Sequence, residues 1–165
     1  ISKTKVIDAI LIGRKPYIDW SITKEDLRIV SEIIVSLGLE KLSMKFIDEI
    51  SGGELQKVQI ARALAQQPNI MLFDEPTNFL DISNQWKFMN LLANLTKSKN
   101  ICTIVSMHDI NTAIRYVDEI IFMKSGNIVA HLKKEDVTSE IIKTVFDVDT
   151  KIIKIDGLPI VIPVI

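Results

Sequence analysis

The chain of 165 residues is short of most features that would commit it to a specialised class. It has one cysteine, Cys102, so no internal disulfide can form. Lying in the apolar run "NICTIVS", Cys102 is expected as a small buried hydrophobe rather than a reactive thiol. Excess charge is also missing: 20 Lys and Arg stand against 21 Asp and Glu, a net charge of −1. That balance excludes a broad basic surface, and with it a partner held mainly through nucleic-acid phosphates. No apolar run approaches the ~18 residues that span a bilayer, and the longest, such as "LPIVIPVI", are strand-sized. No signal-peptide pattern is visible. The chain opens on Ile1 rather than Met, directly into a helical pattern, so it is expected to be a piece of a longer protein. One further absence raises a question. Ser51-Gly52-Gly53 opens a well-formed helix, as a phosphate-facing element does, yet the phosphate-cradling pattern G-x-x-x-x-G-K-[ST] occurs nowhere.

What is present is ordinary in amount, 47% hydrophobic and 25% charged, and sufficient for one domain with a proper core. Val6, Ile7, Ile10 and Leu11 recur at helical spacing. "GRKPY" (Gly13 to Tyr17) punctuates that helix. Thr23, with Asp26 three residues on, is close to a capping box for a second helix. Its apolar face is expected to be Leu27, Val30, Ile33, Ile34 and Leu37, with Gly38 ending it. The first fifty residues thus read as helical. A third helix follows from about residue 53 to 67, with Val58, Ala61 and Ala65 flanked by Ile60 and Leu64. The pattern then changes. "IMLF" (Ile70 to Phe73) and "ICTIVS" (Ile101 to Ser106) are continuous apolar runs, expected as strands buried on both faces of a parallel sheet. A crossover helix at about 83–96 separates them. A short helix at 111–117, the strand "EIIFM", a turn at Ser125-Gly126-Asn127, the run "IVAHL" and a helix at 139–146 complete the alternation. "KIIKI" and "LPIVIPVI" flank Asp156-Gly157, a favoured hairpin turn pair. Pro159 and Pro163 would confine the last strand to an edge. Strands alternating with helices indicate an α/β fold with a mainly parallel sheet.

Asp74 and Glu75 close the first apolar strand, at the carboxyl end where open α/β sheets place their working sites. An Asp in that position is the Walker-B pattern, in which the carboxylate holds Mg²⁺ on a nucleotide. Glu75 could polarise a water for attack on the γ-phosphate. Equally, Asp-Glu-Pro-Thr is a polar strand exit with a helix cap beyond. His108, one of only two histidines, closes the next strand in "SMHDI". Two neighbouring strands would deliver Asp74, Glu75 and His108 to one end of a sheet. That provides a metal carboxylate, a water-positioning group and a γ-phosphate contact. His131 has no such company and reads as a bystander. Ser51, Gly52 and Gly53 could approach an anion closely, or form a plain N-cap. Glu54 in the first turn suits the helix dipole but opposes an anion. Asp81, in "NFLDIS", is a loop carboxylate that serves equally as a helix cap.

Together these pieces resemble an ATP-binding cassette (ABC) ATPase. "ISGGE" resembles the family's signature motif, "IMLFDE" its Walker B with Glu75 as the catalytic carboxylate, "NFLD" its D-loop and "SMHD" its H-loop, in the family's order and spacing. "AILIGRKPY", "FLDISNQ" and "HDINTAIRYVDEIIFMKSGNIVA" look like the ATPase subunits of importers for iron(III)-siderophores, haem and vitamin B12. The departures are Ile50, Glu54, Leu55 and Lys57, where the family often has other residues. The resemblance implies a partial P-loop NTPase fold lacking Walker A and the glutamine loop. Residues 1–50 would be a helical subdomain facing the membrane subunits. Residues 51–150 would be the signature helix and the Walker-B/H-loop part of the core, and residues 151–165 a β-hairpin tail. The tail from Thr138 to Ile165 also resembles the group, so the carboxyl end is expected to be complete.

ATP and Mg²⁺ are the implied cofactors. Glu75 and His108 would be catalytic and Asp74 the metal carboxylate. Ser51, Gly52, Gly53 and Glu54 would face the nucleotide of a second ATPase subunit packed head to tail, and Asp81 would serve as the D-loop residue. Membrane-spanning permease subunits would be the other partners, at the cytoplasmic face of the membrane, with no nucleic acid. Without the P-loop lysine, the 165 residues alone are expected to bind ATP poorly and not to hydrolyse it. Two alternatives are a non-transport ABC ATPase of the DNA-repair or translation type, and a degenerate non-catalytic binding module.

Overall fold

Helix α1 (Val6–Leu11) forms on the first apolar spacing and buries Val6, Ala9 and Ile10. "GRKPY" does not break the chain away from it. The segment Ile12–Tyr17 tightens into a 3₁₀ turn with Pro16 inside, burying Gly13 and Arg14. Helix α2 (Lys24–Ser36) starts on a complete capping box, with Thr23 Oγ1 accepting from Asp26 N–H and Asp26 Oδ2 accepting from Thr23 N–H. It ends in a Schellman motif. Gly38 has φ 64, its N–H donates to Val35 O, and Leu39 N–H donates to Ile34 O. The buried stripe of α2 is Asp26, Ile29, Val30, Ile33 and Ile34. Leu27, expected on that face, is 46% exposed. The stripe is turned by one residue because Asp26 occupies the inward position beside the Arg14 guanidinium.

Helix α3 (Gly52–Leu64) buries Val58, Ile60, Ala61 and Leu64, as its apolar spacing predicts. Its C-terminal exit turns through Gln67 at φ 49. Strands β1 (Ile70–Asp74) and β2 (Cys102–Ser106) are hydrogen-bonded neighbours. Cys102 N–H donates to Asn69 O at one end and Glu75 N–H to Ser106 O at the other, so the two strands run parallel. They alternate rather than bury both faces: Ile70, Leu72 and Ile104 are exposed at 58, 74 and 52%. Cys102 is likewise exposed, not buried as expected. An apolar run marks a strand with the capacity to be covered twice, and among the described residues one side of this pair is uncovered.

The remaining elements are helix α4 (Ile82–Lys99), helix α5 (Ile110–Tyr116), strands β3 (Glu119–Lys124) and β4 (Asn127–Lys133), helix α6 (Ser139–Phe146), and strands β5 (Thr150–Ile155) and β6 (Leu158–Pro163). β3–β4 and β5–β6 are antiparallel hairpins. Their turns are Ser125-Gly126, with φ 51 and 78, and Asp156-Gly157, with φ 52 and 81. Both residues at positive φ is the type I′ arrangement that matches strand twist. Ile114, Ile120, Phe122, Val137, Ile142 and Val161 form one core around these hairpins. Asn111 ties α5 to β6, its side chain donating to Val161 O and accepting from Val161 N–H.

The fold is α/β, and among the described residues its strands group as three pairs, one parallel and two antiparallel, rather than one continuous parallel sheet. The computed structural model describes residues 4–78 and 80–164. The chain divides into two compact units, Ile1–Leu72 with Asn100–Ile104, and Phe73–Lys99 with Val105–Ile165. Among the described residues no helix is long and apolar enough to cross a membrane.

Candidate functional site

Asp74, the last residue of β1, and Ser106, the last of β2, meet at the carboxyl ends of the paired strands. The Ser106 hydroxyl donates to Asp74 Oδ1 at 2.5 Å and accepts from Glu75 N–H at 2.9 Å. One hydroxyl thus fixes the carboxylate of one residue and the backbone of the next. Glu75 sits at φ 45, in the left-handed region that a non-glycine side chain rarely adopts. Its two carboxylate oxygens face different partners, Oε1 toward His108 Nε2 and Oε2 toward the Asn78 side-chain amide. The His108 side chain is 76% exposed and that of Glu75 34%, so the pair is open to solvent on one side.

The three residues expected to converge are therefore together, at one end of one strand pair. The sequence analysis missed Ser106 and Asn78. Ser106 could have been found from its place as the polar end of "ICTIVS", opposite Asp74 in parallel register. Asn78 opens the quoted stretch "NFLD", but its contact to Glu75 depends on the turn at that residue, so the sequence assigned it no role. Asp81 lies at the entrance of α4, where Oδ1 accepts from Asn84 N–H at 2.8 Å and Oδ2 from the Asn84 amide at 2.9 Å. In this state its carboxylate is engaged as a helix cap. Gln85 holds the preceding loop by donating to Thr77 O and Leu80 O. Phe79 of "NFLD" lies outside the described residues.

Ser51, Gly52, Gly53 and Glu54 belong to the other unit. Ser51 caps α3, and Glu54 closes the box: its Oε2 accepts from Ser51 N–H at 2.8 Å and from Ser51 Oγ at 2.7 Å. These bonds from Ser51 hold the Glu54 carboxyl below its ordinary range. An arriving anion would therefore compete with Glu54 for the serine hydroxyl, while the amides of Gly52 and Gly53 open the helix ahead of its first internal bond, Leu55 N–H to Ser51 O.

The donor set at Asp74 suits a hard cation. A strand-end carboxylate beside a serine hydroxyl offers oxygen ligands only, and among the described residues no group of three or more His, Cys, Asp or Glu forms a closed metal cage. Mg²⁺ is held in that sparse way, by one or two carboxylates together with substrate phosphates.

Comparison with known proteins gives the chain's relatives. Residues 3–78 match the ABC transporter family model. The chain is 46% identical over 159 residues to an uncharacterized ABC transporter ATP-binding protein, MJ0089, of Methanocaldococcus jannaschii, covering 96% of this chain and 63% of that protein. It is 38% identical over 143 residues to the ferric enterobactin transport ATP-binding protein FepC of Escherichia coli, covering 85% of this chain and 53% of that protein. The chain thus spans less of these relatives than they span of it. Its fold superposes with a TM-score of 0.88 on the solved structure of an ABC transporter in an inward-facing conformation, at 24% identity, over 99% of this chain and 68% of the other. Residues 3–78 belong to the ABC transporter family, and the chain as a whole is similar to ATP-binding proteins of that family.

Proposed function

We propose that the chain is part of the ATP-hydrolysing subunit of an importer for iron(III)-siderophores, haem or cobalamin. The observation that carries this reading is the joint placement of Asp74, Glu75 and His108 around Ser106, in a chain 38% identical to a ferric enterobactin transport ATP-binding protein. Asp74 would hold Mg²⁺, which when bound supplies charge neutralisation on the β- and γ-phosphates. Glu75 orients the attacking water and accepts its proton. His108 and Asn78 aim the two oxygens of Glu75, and His108 reaches the γ-phosphate. Ser51, Gly52 and Gly53 present a helix N-terminus to the nucleotide on a second subunit packed head to tail, with Asp81 at the same boundary. Residues 1–50 meet the membrane-spanning subunits, which places the assembly at the cytoplasmic face of the membrane. The 165 residues alone lack the P-loop lysine and do not turn over ATP.

Transport tests the reading. A strain without the intact subunit should lose uptake of one of the three substrates, siderophore, haem or cobalamin. The wild-type gene should restore it and a Glu75→Gln gene should not. Unchanged uptake of all three would remove the importer assignment.

A further inference from the structure

"GRKPY" has no evident part in hydrolysis, yet two of its side chains, Arg14 and Tyr17, converge on one place, the C-terminal end of helix α3. Arg14 is 4% exposed and Asp26 is 2% exposed. The guanidinium works in two directions. Nε donates to Asp26 Oδ1 at 2.9 Å, and Nη1 donates to Ala65 O at 2.9 Å and to Gln67 Oε1 at 3.0 Å. Asp26 is the capping-box residue of α2, and Ala65 is the C-cap of α3. The cation therefore lies at the negative end of one helix dipole, and the anion it pairs with lies at the positive end of another. Tyr17 adds a third tie, its hydroxyl donating to Gln66 O at 2.7 Å, while its ring lies 4.1 Å from the Arg14 guanidinium carbon. Gly13 allows the approach. A Cβ there would stand 2.2 Å from Arg62 O, a backbone atom of α3, and 2.9 Å from Ala65 Cβ.

We propose that Arg14 is a positioning residue: with Gly13 and Tyr17 it clamps the C-terminal end of α3 to the N-terminal end of α2, and so sets the direction in which Ser51, Gly52 and Gly53 point at the far end of α3. The inference rests on the ATPase reading for what those three residues face, but the clamp itself stands on geometry. A helix of 13 residues acts as a lever. Loosening one end moves the other, and the phosphate-facing amides are at the other end. Lysine cannot replace the arginine, because one ammonium on a flexible stem does not hold two partners in a fixed fork.

Two measurements test this. In the 165-residue chain, spin labels at Val35→Cys on α2 and Lys57→Cys on α3, in a Cys102→Ser background, should give one narrow distance. Arg14→Ala should broaden it, and Tyr17→Phe, which keeps the ring and loses only the bond to Gln66 O, should broaden it less. Gly13→Ala should instead shift its mean, because the added Cβ pushes α3 bodily. Distributions that stay superimposable on the unsubstituted chain would overturn the clamp. In the intact subunit, Arg14→Ala should lower kcat at least about tenfold, toward the roughly hundredfold that a 1 Å misplacement produces, with KM for ATP unchanged. Arg14→Lys should recover only part of it. A kcat left intact by Arg14→Ala, or lost with no change in the distance distribution, would also overturn the proposal. An intact subunit without any ATPase would remove the ATPase reading, and the distance measurement would still decide the clamp.

Discussion

At the scale of single residues, Glu75 concentrates the cost and the purpose of the candidate site. A non-glycine residue in the left-handed region costs about 1–3 kcal/mol and persists only where its surroundings over-determine it. Ser106 supplies part of that determination, since its hydroxyl serves both Asp74 and the Glu75 amide. Replacing Ser106 with Ala should leave the carboxylates in place but free to move. The expected result is a fall of about ten- to hundredfold in kcat of the intact subunit, in keeping with ~1.5–3 kcal/mol for a hydrogen bond to a charged group. An unchanged kcat would mean that Ser106 is an ordinary strand end. Asp26 gives a second residue-scale prediction. Bonds from Thr23, then Arg14, hold its carboxyl at about 2, below its usual value of 3.8. A depressed folded-state pKa adds stability that is complete above the unfolded value and is lost as pH falls through the folded one. The chain should therefore lose stability between about pH 4 and pH 2, and Asp26→Asn should flatten that part of the profile in urea unfolding. Parallel profiles for the two proteins would contradict the assignment.

At the scale of elements, the sequence was most legible where local chemistry decides. Thr23 and Asp26, Ser51 and Glu54, Gly38, and Asp156-Gly157 each sit at the boundary they announce, because a cap or a turn is settled within four residues. Gly38 offers a clean check. At φ 64 with nothing within 4 Å of a built Cβ, Gly38→Ala meets only a backbone penalty. It should cost about 1 kcal/mol in equilibrium unfolding, and a stabilised variant would refute the αL ending of α2. What was not legible depends on contacts distant in sequence. Leu27 was misplaced because Arg14 draws Asp26 inward, across a separation no helical period reveals. Asp74, Glu75 and His108 were found because parallel strands align their ends. Ser106 and Asn78 were not, since neither belongs to a residue class that advertises chemistry. "GRKPY" was noticed as a pattern, but its meaning required seeing α3 packed against it.

At the scale of the whole molecule, the uncovered side of β1 and β2 is the main departure from expectation. Ile70, Leu72 and Ile104, exposed at 58, 74 and 52%, each forgo about 1–2 kcal/mol of burial, and an exposed apolar strand pair invites association. The 165-residue chain should self-associate in a concentration-dependent way, and Leu72→Lys with Ile104→Lys should reduce this without loss of helix content. Light scattering showing a monomer at all concentrations would contradict it. The sequence could not reveal this face, because a continuous apolar run records the coverage a strand can accept and not the coverage it receives.

The central claim is that Asp74, Glu75 and His108 form the hydrolytic site of an ABC ATPase, and single-turnover ATP hydrolysis by the intact subunit tests it most directly. The account predicts that Glu75→Gln keeps ATP binding while the hydrolysis rate falls by about 10²–10⁴-fold, the usual contribution of a positioned general base. Hydrolysis by Glu75→Gln at the wild-type rate would contradict it.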